Sequence, residues 1–265
     1  MQLNSRMVMG RYVAAESWVH RLDPRAKLIA MILFLLAVIM ADGAIELGII
    51  TVVAVGILLS SRIPLTRYLR AAKPLRPLML FMFLFYVLFE DGGEVLFSIG
   101  SFHIYTGAVL FGIYAVWRML LLISFTSILT FTTTPIELTL GLEYVLAPLR
   151  FIGVSAQQWA MMISVALRFI PTIFQEADKI MKAQASRGAD YEDLKLREKG
   201  KLLVTLLVPI IVGAFRRAED LVMAMESRGF VLDQKRTSLR KLTWTMKDTT
   251  FIVLFVVINI ISIMI

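Results

Sequence analysis

Residues 26–61, AKLIAMILFLLAVIMADGAIELGIITVVAVGILLSS, contain two apolar runs separated by a short polar break at Asp42-Gly43. An α-helix rises about 1.5 Å per residue, so about 20 largely apolar residues cross the hydrocarbon core of a bilayer. Both runs approach that length, and the break supplies residues that favour a turn. The stretch therefore predicts a hairpin of two membrane-spanning helices, residues 26–41 and 44–61.

Three further apolar segments extend the pattern. They are Leu78–Phe89, Ile104–Phe131 (which is interrupted by Arg118) and Thr249–Ile265. The first of these is short for a span, and we expect its helix to begin near Lys73–Pro77. The chain is 58% hydrophobic and 18% charged, with a mean hydropathy of +0.76. Ordinary soluble domains are about 45–50% apolar and about 25% charged. We predict an all-α polytopic membrane protein with about five transmembrane helices, and we exclude a disordered chain and a small soluble module.

The chain has no cysteine and two histidines. Disulfides, thiolate metal sites and a cysteine nucleophile are therefore excluded, and a zinc site built on several histidines has too few ligands. We predict no catalytic residue, no metal site and no cofactor in this chain.

The charges alternate in sign between the links that join the apolar segments. Residues 1–27 and 62–77 hold five basic residues each, whereas 42–46 and 90–103 together hold five acidic residues and no basic one. Basic residues accumulate in cytoplasmic loops. We therefore predict a cytoplasmic N-terminus and an extracellular C-terminus, and we attribute the net charge of +8 to topology rather than to nucleic-acid binding.

The predicted organisation has three parts. Residues 1–131 form four spans, residues 132–248 form a cytoplasmic block rich in basic residues, and residues 249–265 form the last span. The cytoplasmic block is unlike a soluble domain because apolar residues recur along it at helical spacing. They include Leu138, Leu142, Val145, Leu146 and Leu149 on one segment, and Trp159, Met162, Ala166, Phe169 and Ile173 on the next. These stripes predict long amphipathic helices that lie against a membrane or against other proteins.

Two segments of the block repeat each other at an offset of 41 residues. In the first copy Phe174 and Ala177 precede Ser186-Arg187-Gly188, and in the second Phe215 and Ala218 precede Ser227-Arg228-Gly229. Glycine commonly ends helices, and arginine near a helix C-terminus is favoured by the helix dipole. A repeated helix stop is one interpretation. The other is a pair of equivalent basic helix ends that fit a partner with two equivalent acidic sites.

The chain resembles the T component of energy-coupling factor transporters, the EcfT family, over essentially its whole length. That family carries two short Ala-Arg-Gly motifs, and Ser186-Arg187-Gly188 and Ser227-Arg228-Gly229 are similar to them, with serine in place of alanine. The order of three further segments also resembles the family. These segments are His20-Arg21-Leu22-Asp23-Pro24-Arg25-Ala26-Lys27, Thr132-Thr133-Thr134-Pro135 and Leu167-Arg168-Phe169-Ile170-Pro171.

The resemblance implies a non-catalytic scaffold in a bacterial cell membrane. Each motif arginine would enter a groove of one of two ABC-type ATPases, EcfA and EcfA′, which carry the ATP and Mg. The cytoplasmic helices would hold a small membrane-embedded S component and reorient it for uptake of a vitamin or another micronutrient. The ATPase-coupling residues would be Ser186, Arg187, Gly188, Ser227, Arg228 and Gly229. The S-component interface would include Leu142, Leu146, Leu149, Trp159, Met162 and Phe169.

Two other classes of protein stay open at this point. One is a membrane-embedded enzyme acting on lipid, with Arg118 and Arg168 as phosphate-binding residues. The other is an ion-coupled secondary transporter, although such proteins usually repeat their spans, whereas here the repeat lies in the block. No phosphate-binding loop for ATP is found, since Gly200-Lys201 is followed by leucine and lacks the upstream glycine.

Overall fold

The computed structural model describes residues 13, 15–41, 43–99, 102–147, 156–186, 196–231 and 242–264. Contacts divide the chain into two units, one comprising Arg11–Ala160 with Thr243–Ile265 and the other Met161–Leu242 with Met1–Gly10. The first is called the bundle unit and the second the long-helix unit. Each is described by itself.

The bundle unit is built from helices with short connections. They are α1 (Pro24–Met40), α2 (Ala44–Ser60), α3 (Leu65–Ala72), α4 (Arg76–Phe89), α5 (Thr106–Thr132), α6 (Pro135–Val145) and α9 (Met246–Met264). Among the described residues, four stretches are long and apolar enough to cross a membrane, judged by length and composition alone: Leu65–Phe89, Thr106–Thr132, Gln158–Ser186 and Met246–Met264. Ala44–Ser60 is a shorter apolar helix. The protein is an all-α polytopic membrane protein.

Two details of the bundle unit differ from the sequence-based expectation. The helix of the third segment, α4, begins at Arg76, inside the expected range Lys73–Pro77, but a 3-10 turn at Lys73–Leu75 joins it to α3, so the continuous stretch begins earlier, at Leu65. The prolines in this region, Pro74 and Pro77, occupy first-turn positions, where a missing N–H costs nothing. An antiparallel hairpin of β1 (Val95–Ile99) and β2 (Phe102–Tyr105) also precedes α5, which begins at Thr106 rather than Ile104.

An aromatic cluster lies within the largely aliphatic core of the bundle unit. The Phe34 ring of α1 stacks on Phe125 of α5 with centroids 4.1 Å apart, and Phe255 of α9 meets both rings edge-on. All three rings are almost fully buried. Such aromatic pairs contribute about 0.5–1.5 kcal/mol each beyond the apolar area that they bury. This cluster holds α1, α5 and α9 together.

The ends of three helices meet in a buried polar network. The Lys27 ammonium donates to the Thr132 carbonyl at 3.1 Å and to the Thr133 hydroxyl at 3.2 Å, while the Asp23 N–H donates to the Asp248 carboxylate at 2.8 Å. The starts of α1 and α9 and the end of α5 therefore lie at one end of the bundle, which is called the polar end.

The long-helix unit is built from two 31-residue helices. Helix α7 (Ala156–Ser186) begins in the bundle unit and continues into this one, and α8 is Leu196–Glu226. Both helices run through an internal proline, Pro171 and Pro209. Helix α8 begins four residues before Gly200, so Gly200 lies within its second turn.

Candidate functional site

The second motif copy lies at the end of α8 in a closed cap. The Gly229 N–H donates to the Glu226 carbonyl at 2.9 Å, and the Phe230 N–H donates to the Met225 carbonyl at 3.0 Å. This pair of bonds, with glycine in the left-handed conformation, is the Schellman arrangement that ends helices. Gly229 has φ +71°, which residues with a Cβ adopt at a cost of roughly 1–2 kcal/mol.

The cap fixes where the Arg228 side chain begins. Ser227, Arg228 and Gly229 are all exposed, and the Ser227 hydroxyl donates to the Ala224 carbonyl at 3.1 Å. The Arg228 backbone N–H is itself held by the Met225 carbonyl at 3.1 Å. A long cation is therefore presented to solvent from a rigid helix end, which suits recognition of carboxylates or carbonyls.

The first motif copy is described only in part. Ser186 is the last residue of α7 that the structure describes, and its hydroxyl donates to the Lys182 carbonyl at 3.0 Å. Arg187 and Gly188 lie outside the described residues. Serine thus bonds back to its own helix in both copies, to the fourth preceding carbonyl in one and to the third in the other.

Glu176 and Arg217, one on each long helix, form a side-chain ion pair within the long-helix unit. They are also repeat-equivalent positions, because 217 minus 176 is the same 41-residue offset that relates the two motifs. A Cβ added at Gly213 would lie 2.9 Å from the Glu176 carboxylate. Glycine at that position therefore lets Glu176 approach the backbone of α8.

Sequence reasoning missed this ion pair, although the sequence contained a signal for it. Extending the repeat alignment to every position at the same offset pairs an acid, Glu176, with a base, Arg217. Opposite charges at equivalent positions suit two copies that contact each other, since like charges there would repel. The repeat is recognised from residues that match between the two copies, and this position differs between them.

The apolar residues predicted at an interface are largely exposed. Trp159 is 57% exposed, Met162 52% and Leu142 38%, whereas Leu146 and Phe169 are half-buried. Leu149 lies outside the described residues. Large side chains this exposed on a membrane-protein helix contact either lipid or another protein.

Helix α6, which carries Leu142 and Leu146, is fixed firmly to α1. Thr134 and Glu137 form a reciprocal capping box at its start. Gly141 packs against Pro24, and the Arg25 guanidinium lies 3.6 Å from the centre of the Tyr144 ring. Burial raises the pKa of Glu143 on this helix. The face with Leu142 is therefore held in a defined orientation within the bundle unit.

The remaining sequence-level candidates occupy separate places. Arg118 on α5 donates to the Ala41 carbonyl at the end of α1, and Arg168 is an exposed residue of α7. The described residues contain no group of three or more histidine, cysteine or acidic side chains that could hold a metal ion.

His20, from the first of the family-like segments, belongs to the polar end. Its Nε2–H donates to the Val13 carbonyl at 3.0 Å, so its Nδ1 accepts from the Ser17 hydroxyl at 2.7 Å. Burial lowers the pKa of His20, and the nearby Lys27 charge adds to this effect, while the bond to Val13 opposes it. Burial and the Lys27 charge outweigh the bond to Val13, so the net shift favours the neutral ring.

Comparisons with known proteins cover nearly the whole chain. The family model described as "CbiQ: Cobalt transport protein" matches residues 15–239. A Bacillus subtilis (strain 168) protein named "Energy-coupling factor transporter transmembrane protein EcfT" is 43% identical over 95% of both chains. Proteins of the same name from Brevibacillus brevis and Listeria innocua are 40% and 38% identical over 96% of both chains.

Proposed function

Because this chain belongs to the family of energy-coupling factor transporter transmembrane proteins, EcfT, we propose that it couples two ATPases to a substrate-binding membrane protein. The chain is a non-catalytic transmembrane component of a transporter. In the proposal it docks two ABC-type ATPases, EcfA and EcfA′, which bind the ATP and Mg. It also holds an S component whose reorientation delivers a vitamin or another micronutrient.

The observation that carries the proposal is the contact of Glu176 with Arg217 at equivalent points of the repeat. From these positions ten residues lead to Ser186 in one copy and ten lead to Ser227 in the other. At about 1.5 Å per residue each arm is about 15 Å long. Two equal arms ending in the same motif suit a partner made of two similar subunits, which is the organisation of a paired ATPase.

The chemistry of the motif supports the same assignment. Arginine offers five donors in a planar fork, and at protein interfaces it is among the residues that contribute most to affinity. Arg228 projects from a capped, exposed helix end. We assign Ser186, Arg187, Gly188, Ser227, Arg228 and Gly229 to the ATPase contact.

The S component would dock on the exposed apolar faces. In the proposal these faces are formed by Leu142 and Leu146 on α6, by Leu149, and by Trp159, Met162 and Phe169 on α7. In the same proposal residues 1–131 and 249–265 are membrane-spanning and residues 132–248 are cytoplasmic. The N-terminus is then cytoplasmic and the C-terminus extracellular, because the basic links lie on the inner side.

The test is a mild-detergent pull-down of the tagged full chain from its own host, with partners identified by mass. Hot-spot arginines contribute about 2 kcal/mol or more each. The double variant Arg187→Ala with Arg228→Ala should therefore retain less than about a tenth of the ATPases. The matched control is Arg216→Ala, which removes an exposed arginine of α8 outside the motif. Equal retention by the double variant and the control would refute the assignment.

A second variant separates the charge of Arg228 from its placement. Gly229→Ala keeps the arginine but strains the left-handed cap, so ATPase retention should fall by less than in Arg228→Ala. The S component should stay bound in both variants, since the apolar faces are unchanged. Loss of the S component together with the ATPases would instead indicate a misfolded chain, which a thermal unfolding scan would detect.

A further inference from the structure

A polar cavity of about 340 Å³ opens at the polar end of the bundle unit. Three separate segments line it, namely the turn before α1, the end of α2 and the start of α9. Its cations are Arg21, Arg62 and Lys247, and Glu16 is its one acidic residue. The lining therefore carries three positive charges and one negative charge.

The negative charge leaves most of this field uncompensated. Arg21 lies 3.7 Å from Glu16, and both side chains are largely exposed, so the pair is weak. Within the described part of the chain, Arg62 and Lys247 have no ion-pair partner. Arg62, in the turn after α2, and Lys247, in α9, thus face one cavity without an acid paired to either.

The backbone of Arg62 is in an unusual conformation. Its φ is +55°, and among the described residues it is the one non-glycine with a positive φ. The preceding Ser61 is fully buried and holds the turn, because its hydroxyl donates to the Leu58 carbonyl at 2.6 Å and accepts from the Ile63 N–H at 3.3 Å. Glycine would adopt this φ with less strain. The chain nevertheless has an arginine here, which is the pattern seen where a strained residue has a function.

The surroundings of the cavity favour a lipid over a free anion. Trp18 lines the cavity, is partly exposed and packs edge-on against Phe251 of α9. Tryptophan is enriched at membrane–water interfaces. Both helices that line the cavity also carry exposed apolar side chains, Leu59 and Val52 on α2 and Leu254 on α9, two helical turns after Lys247. A bound headgroup would therefore have apolar surface beneath it for acyl chains.

We propose that this cavity binds the phosphate of an anionic phospholipid headgroup at the membrane surface. Arg62 and Arg21 supply forked donors that match phosphate oxygens, and Lys247 supplies a third positive charge. The acyl chains lie along the exposed apolar faces of α2 and α9. The proposal depends on membrane insertion and not on the ATPase contact, so its failure leaves the proposed function untouched.

The experiment uses the full chain in nanodiscs of phosphatidylcholine to which phosphatidylglycerol with the same acyl chains is added. Native mass spectrometry counts the phosphatidylglycerol molecules that stay bound after release. A basic residue near an anionic surface contributes a factor of about five in affinity. Arg62→Gly removes the charge and relieves the backbone, so it should lower phosphatidylglycerol retention about fivefold without loss of fold. Arg62→Gly with Lys247→Gln should lower it more than tenfold.

The matched control is Arg67→Gln, which removes an exposed arginine of α3 beside the same end of the bundle but outside the cavity. Retention equal to the wild type in the control, with loss in the cavity variants, supports the site. Equal losses in control and cavity variants would mean a diffuse surface charge and would overturn it. Displacement of the lipid by millimolar inorganic phosphate would assign the cavity to a free anion and overturn the lipid. If the cavity variants kept their phosphatidylglycerol but lost a protein partner, the cavity would be assigned to an acidic protein segment and the lipid proposal would be overturned.

Discussion

The bundle unit and the long-helix unit place their apolar side chains in opposite ways. In the bundle unit Phe34, Ile50 and Phe255 are almost fully buried, and charged groups such as Lys27 and Asp248 are buried with partners. In the described residues of the long-helix unit Leu206 is the one buried side chain, while Phe215 is 67% exposed.

This difference in the burial of apolar side chains determines where each unit obtains its stability. Burying an apolar side chain contributes about 1.5–3 kcal/mol, and the bundle unit gains this within the chain. The exposed apolar residues of α7 and α8 gain it only when lipid or a partner covers them. The bundle unit should therefore respond to substitution through unfolding, and the long-helix unit should respond mainly through assembly. Four predictions test this contrast, in order of their expected effect on the unfolding free energy.

The largest effect is expected at Asp248. Its carboxylate accepts from the Asp23 N–H at 2.8 Å and from the N–H and hydroxyl of Thr245 at 2.7 and 2.6 Å. Asp248→Ala leaves buried donors without an acceptor, so the free energy of unfolding should fall by about 3 kcal/mol. Thermal unfolding of the purified chain measures this. Asp248→Asn keeps the shape and part of the acceptor capacity, so its unfolding free energy should lie between those of the wild type and Asp248→Ala. An unchanged unfolding midpoint for Asp248→Ala would contradict the network.

A smaller effect is expected at Arg217. Hydrogen bonds to charged groups contribute about 1.5–3 kcal/mol. Because the ion pair with Glu176 is partly exposed and therefore screened by solvent, Arg217→Ala should lower the unfolding free energy by a smaller amount, about 1–2 kcal/mol. The double variant Glu176→Arg with Arg217→Glu restores opposite charges and should recover part of that loss. ATPase capture should follow the same order. Equal stability of the single and swapped variants would show that the contact does not hold the two helices together.

His20 predicts a modest pH dependence. Because its pKa is lowered in the folded chain, the unfolded chain binds more protons at pH values between the folded pKa and about 6.5. The stability from the neutral ring is therefore full above about pH 6.5 and is lost as the pH falls toward the folded pKa. Unfolding midpoints at several pH values measure this loss, and His20→Gln should reduce the dependence of the midpoint on pH. A variant with the same slope as the wild type would place the titration elsewhere.

The smallest effect on stability is expected for Met162→Ser. The side chain is about half exposed, and surface substitutions usually change the unfolding free energy by less than about 0.5 kcal/mol. The same substitution combined with Trp159→Ala should nevertheless reduce capture of the S component severalfold, because apolar contact area is lost. Val52→Ser, on an exposed face of α2, serves as the comparison. Equal capture by both variants would mean that the α7 face contacts lipid only.

The sequence predicted the membrane class and most of the spans because hydropathy over about 20 residues is a strong physical signal. It located α1 and α2 within two residues of their observed bounds, and α9 within three at its start. It placed the start of the third span near Lys73–Pro77, where α4 begins at Arg76, but it did not predict that α3 extends the stretch back to Leu65. The β1–β2 hairpin was missed because its few residues lie between acidic and apolar segments and show no clear alternation.

The candidate site was predictable where the signal was local and not where it depended on a distant partner. Glycine after Ser227-Arg228 predicted a helix end, and Gly229 has the left-handed backbone that this requires. The contact of Lys27 with Thr132 and Thr133 was not predicted. More than 100 residues separate the two segments, and each was recognised only by its own sequence. The cavity beside Arg62 could not be predicted, because nothing in the sequence indicates that a helix end at residue 62 lies near a helix start at residue 247.

The contact between Glu176 and Arg217 also has a consequence for how relatives of this chain can change in length. One residue inserted into α7 or α8 after the contact would lengthen that arm by about 1.5 Å and rotate everything beyond it by about 100°. The motif would then point to another side of the helix while its twin did not. Insertions and deletions between residues 176 and 186, or between 217 and 227, should therefore be tolerated only in matched pairs, whereas the link between the two helices is free to vary in length.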